Sequence, residues 1–222
     1  MGEATPGEAT PREAPPGEAT PSTAFGFHTL DALAERCGQY CWIEHRLFAL
    51  TGMWAGAPCA TGAAGSMESE IRVACSEISS WHAFVARQWR DRLPVRAGVD
   101  AGALVVPPPG GAGPALDLLE AQADLMGGLS GLAEQILPAL LAAYDDHFAG
   151  AAPVSEAPVR AVLGLVRPRL QLEIEGTRGL LRRGARVGGE ADGRAGQRGD
   201  LAASLQRVLG AESAIFPAAW AS

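Results

Sequence analysis

The chain has 222 residues, 47% of them hydrophobic and 19% charged, with a net charge of −7. That size and balance suit one compact domain with tails, and a pI near 5.1 argues against a nucleic-acid surface. Neither Lys nor Asn occurs; with the heavy Ala and Gly usage, this reads as the coding bias of a GC-rich, actinobacterial type of genome.

The first segment, residues 1–27, holds the repeat GEATP, GEATP, REAPP, GEATP. Pro at every fifth position blocks a stable helix, and nothing in the repeat can build a core, so a disordered arm is expected. The chain does not open with the basic and then apolar pattern of a signal peptide. No uninterrupted apolar run reaches the roughly 18–20 residues that span a bilayer. Cys37, Cys41, Cys59 and Cys75 form no CxxC pair and no disulfide framework. A cytoplasmic protein with reduced thiols and no membrane partner is the expectation.

The helical domain is placed at residues 28–183. Its first helix runs from about Thr29 to Trp54, with Asp31 and Glu35 near its start, where acids suit the helix dipole. The second runs from about Met67 to Arg92 and is stopped by Pro94. Residues 94–113 contain VVPPPGGAG and are too irregular for a helix. A third helix is expected over Pro114–Phe148, broken at Gly127-Gly128 or bent at Pro138. Ser155 and Pro158 then open a fourth, to Arg183, with a kink at Pro168. Residues 184–222 are assigned to a mobile Gly/Arg-rich linker and a short helix over Asp200–Leu209, docked by Ile215, Phe216 and Trp220. No segment alternates with a period of two. The fold class is therefore all-α: a four-helix bundle of two antiparallel pairs, with a long crossover between helices two and three.

Polar residues interrupt the apolar rows of these helices. Glu44 continues Leu30, Leu33, Cys37 and Tyr40 at steps of three and four, and Leu47 and Thr51 follow it; such residues share one helix face. His82 lies in the row Ile71, Cys75, Ile78, Val85, Trp89, and Glu77 lies on a flank of the same apolar face. His147 follows Leu129, Leu132, Ile136 and Leu140, one turn after Tyr144, and Glu173 follows Val166 and Leu170. A buried carboxylate costs several kcal/mol unless it is paired, protonated or bound to a cation. Counting about 1.5 Å per residue from the helix ends brings Glu44, Glu77 and Glu173 to one level. His82 and Glu134 are possible additions, and Tyr144 and His147 are outer members.

WIEHRLF (42–48), SEISSWH (76–82) and LEIEG (172–176) resemble the ferritin-like superfamily, whose di-iron and di-manganese members hold metal inside a four-helix bundle with a long crossover. The resemblance covers roughly residues 28–183. It implies a non-haem iron or manganese centre performing redox or oxygen chemistry on a small-molecule substrate. Glu44, Glu77 and Glu173 would be carboxylate ligands, and His82 a nitrogen ligand or a group orienting one. His147 would be an outer ligand, and Tyr144 a catalytic redox or hydrogen-bonding neighbour. The family's Glu-x-x-His pairs are incomplete, because Ser80 and Gly176 stand where the imidazoles belong. A metal-free bundle acting as a binding or scaffolding module is the alternative, with its charges paired internally, Glu44 to an inward Arg such as Arg169. A homodimer is the candidate assembly.

Overall fold

A computed structural model describes residues 29–57, 63–95, 97–98, 100–188 and 192–210. The described residues are helical and contain no strand, so the all-α expectation holds. The GEATP arm, Cys59, Ile215, Phe216 and Trp220 lie outside them.

Helix α1 (Leu30–Gly56) starts where the Thr29 side chain accepts a hydrogen bond from the Ala32 amide at 3.1 Å, with Asp31 in the first turn. It stops at Ala57, whose extended backbone is what a residue before proline prefers. Helix α2 (Ala63–Arg90) packs along α1 over most of their lengths. The connection that follows contains a 3-10 turn (Ala101–Leu104), opened by Asp100, which accepts from the Gly102 amide at 2.8 Å.

The expected third helix is divided. Helix α3 (Ala112–Glu120) ends before residues 121–124, and α4 (Leu125–Gly131) restarts at Asp124, whose carboxylate accepts from the Gly127 amide at 2.9 Å. The break therefore falls at an N-cap acid, and helix continues through Gly127-Gly128. Gly128 is needed for packing: a Cβ there would press on the Trp54 ring, 2.8 Å from its nearest carbon. A π segment (Leu132–Ile136) joins α4 to α5 (Leu137–Gly150). Pro138 explains it, because proline has no N–H to return to the carbonyl four residues earlier; the Leu137 amide instead reaches the Leu132 carbonyl.

Helix α6 (Ala157–Gly188) runs past the expected end at Arg183 and tolerates Pro168. Both Pro168 and Gly164, whose carbonyl loses its donor, are exposed, so water can satisfy the freed group. Helix α7 (Asp192–Leu209) occupies much of the stretch assigned to a mobile linker. It packs on α3 and α4 through its own buried Leu201, Leu205 and Leu209.

One core takes Ile43, Leu47, Val85, Trp89, Leu140, Tyr144, Val166 and Leu170 from α1, α2, α5 and α6, and also Leu116, Leu129 and Leu205 from α3, α4 and α7. Cross-helix ion pairs lie on its rim, Arg178–Glu134 at 3.0 Å and Arg183–Glu70 at 2.5 Å among them; exposed pairs of this kind contribute about 0–1 kcal/mol each. Leu125–Gly150 is long and apolar enough to cross a membrane by length and composition, although no such run was expected. Of its apolar window, 56% is buried inside the body, where a core segment would lie.

Candidate functional site

Four side chains from four helices meet in the core. Glu44 projects from α1, His82 from α2, Tyr144 from α5 and Glu173 from α6, all nearly closed to solvent. The Glu44 carboxylate contacts Nδ1 of His82 through Oε2, and Oε1 of Glu173 lies 3.1 Å from Nε2 on the other edge of the ring. The Tyr144 hydroxyl donates to Oε1 of Glu44 at 2.5 Å and accepts from the Trp89 indole N–H at 3.1 Å. One hydrogen-bonded chain thus runs Glu173–His82–Glu44–Tyr144–Trp89.

Burial has the largest single effect on His82 and would lower its pKa. The facing carboxylates of Glu173 and Glu44 outweigh it and push the imidazole up to about 10. His82 is therefore an imidazolium at neutral pH, donating from both nitrogens to one acid on each side. Burial and then the Glu44 charge raise the Tyr144 phenol well above its ordinary value, so Tyr144 stays a donor.

An aromatic group adjoins the chain on one side. The Tyr40 ring lies 4.8 Å from both Trp89 and Tyr144 and 5.7 Å from His147. Nδ1 of His147 sits 3.2 Å from the Tyr40 hydroxyl. His147 is thus buried one turn beyond Tyr144 and meets the aromatic group, while Tyr144 meets Glu44.

Two placements differ from the sequence reading. Glu77 does not join Glu44 and Glu173. It is exposed on the outer face of α2, because five residues separate it from His82, about 140° around a helix, and His82 takes the inward direction. Arg169 is not the partner of Glu44: it is exposed, with its guanidinium 5.7 Å from the Trp81 ring centre. Glu134 pairs with Arg178 on the rim. Trp89, in the same row two turns after His82, reaches the chain through its indole N–H on the Tyr144 hydroxyl.

The cysteines offer little chemistry here. Burial pushes Cys37 up to about 12 and Cys41 and Cys75 up to about 11, so all three remain thiols. The Cys41 thiol points to the Ala86 carbonyl at 3.4 Å.

Carboxylate, imidazole and phenol are suitable donors for iron or manganese. Their placement does not fit a shared ion, because a ligating imidazole nitrogen must give up its proton and face the metal. Here each ring nitrogen already faces a carboxylate, and the acids approach opposite edges of the ring. Among the described residues no three His, Cys, Asp or Glu side chains form a group that could hold an ion. One oxygen of the set stands apart: Oε2 of Glu173 is buried with no hydrogen-bond partner among the described residues.

No protein-family model, curated protein or solved structure matches this chain.

Proposed function

We propose that the chain is a metal-free, ferritin-like helical bundle that acts as a binding or scaffolding module. The observation that carries this reading is the position of His82 between Glu44 and Glu173. Its imidazolium supplies, from within the chain, the positive charge that a metal would otherwise bring to two buried acids. The site is closed, with the His82, Glu44 and Glu173 side chains each at most 2% exposed, so the cluster fixes the register of α1, α2 and α6 and leaves function to the surface. Buried polar groups of this kind specify one arrangement of helices at some cost in stability.

The second reading keeps a non-haem iron or manganese centre acting on a small molecule. The unpartnered Oε2 of Glu173 favours it; Glu44 and Glu173 would then hold the ion, with Tyr144 beside them, and His82 would have to turn from one acid and give up a proton to join them. Metal analysis of the purified protein, after anaerobic addition of Fe(II) or Mn(II) and desalting, separates the two. The metal-free reading expects no stoichiometric retention. One ion or more per chain, lost in Glu44→Ala, would replace it with the second.

A further inference from the structure

The outer face of α2 and α6 combines exposed apolar side chains with charges that have no ion pair among the described residues. On α2, Val73, Glu77, Ser80 and Phe84 follow at steps of four, three and four and so share one stripe. Val73 is 62% and Phe84 43% exposed. On α6, Leu165, Arg169 and Leu172 form a stripe of the same kind, with Leu165 at 47% and Leu172 at 59%. The helices run antiparallel, since Glu70 meets Arg183 near one end and His82 meets Glu173 further along. Between the stripes lies an open groove of about 450 Å³, lined by Ser76, Glu77, Ser80, Trp81, Phe84 and Arg169.

Charge decides what fits this face. Arg46, Arg167, Arg178 and Arg183 each bridge to an acid on another part of the body. Glu77 and Arg169, both lining the groove, have no ion pair among the described residues. A partner bearing one sign of charge would satisfy one of them and repel the other. A second copy of the same face satisfies both, because a two-fold interface sets residue i against j and j against i.

We propose that this face is the self-association surface of the chain. Two copies meet across the groove about a two-fold axis, with Glu77 of each opposite Arg169 of the other and the rows containing Phe84 and Leu172 packed between them. This surface is distinct from the buried cluster, so the proposal stands whether or not that cluster binds metal.

Sedimentation equilibrium of the full chain over a micromolar concentration series tests it, with helical circular dichroism as a check on folding. Wild type is expected to dimerise. Glu77→Arg and Arg169→Glu each place like charges across the axis and should weaken the dimer about tenfold or more. The double reversal, Glu77→Arg with Arg169→Glu, should restore most of the loss, and Phe84→Glu should give a folded monomer. A monomeric wild type, single reversals that leave the dimer unchanged, or a Phe84→Glu dimer of wild-type strength would overturn the proposal.

Discussion

Nδ1 of His82 on α2 faces Oε2 of Glu44 on α1, while Nε2 of the same ring faces Glu173 on α6. One imidazole thereby links three helices with both its nitrogens. Removing it leaves two buried acids without their cation. His82→Ala is expected to cost about 3–5 kcal/mol, the usual penalty for breaking a buried charge pair from one side. Replacing the set together, with Glu44→Met, His82→Leu and Glu173→Met, should recover most of that loss. Urea unfolding of the two variants makes the comparison; a triple variant as unstable as His82→Ala would mean that the cluster does more than balance its own charge.

Stability should also depend on pH in a defined window. The His82 pKa is about 10 in the folded protein and near the ordinary 6.5 when unfolded. A raised folded value means that the folded state binds the proton more tightly. The contribution is therefore complete below about pH 6.5, declines as pH rises above it, and is gone once pH passes about 10. Unfolding free energies measured across this range should fall with pH in wild type, and that part of the fall should be missing in His82→Ala. Equal slopes in the two proteins would assign the dependence to other groups.

Tyr144→Phe removes a donor to Glu44 and the acceptor for Trp89 in one step. A loss of about 1–3 kcal/mol is expected, the cost of leaving a buried polar group unmet. Tyr40→Phe should cost less, because the Tyr40 hydroxyl lies 3.4 Å from the Ala143 carbonyl and 3.2 Å from Nδ1 of His147, both longer than the Tyr144–Glu44 bond and neither to a carboxylate. Paired thermal melts of the two variants would show the order, and a larger loss in Tyr40→Phe would reverse it.

Much of the site could be read from the sequence because helix spacing fixes direction. Glu44 four residues after Tyr40, His82 in the row of Ile78 and Val85, and Glu173 after Leu170 all point inward as their rows require. Spacing could not decide between Glu77 and His82, which flank the same apolar stripe; only one of them could face the acids, and the larger, flat imidazole occupies the gap. The division of the third helix was legible only in part. Pro138 marked a disturbance, but the adjustment spreads upstream as a π segment, and the Asp124 cap was hidden among polar residues with no apolar period. Helix α7 was underestimated at its start: Gly193, Gly196 and Gly199 hide the turns before Asp200, while Leu201, Leu205 and Leu209, spaced four apart on one buried face, mark the part that was expected.

Gly38 is a test of the packing away from the site. A Cβ there would lie far inside contact with the Leu104 carbonyl, which the 3-10 turn holds against α1. Gly38→Ala is expected to destabilise by about 1–3 kcal/mol through overpacking. At Gly176, where a Cβ would meet open space, the same change should stabilise by about 0.5–1 kcal/mol through the better helix propensity of Ala. Opposite shifts in unfolding midpoint are the expected result, and a neutral Gly38→Ala would show that the turn can move away.

The most direct test is the protonation of His82 itself, read by nitrogen-15 NMR of the imidazole, assigned by comparison with His82→Gln. Both ring nitrogens should carry protons at neutral pH and keep them until pH approaches 10. Stoichiometric Mn(II) should leave the signals in place. A ring with one bare nitrogen at neutral pH, or signals lost on addition of one Mn(II) per chain, would contradict the assignment of His82 as the cation of the buried cluster.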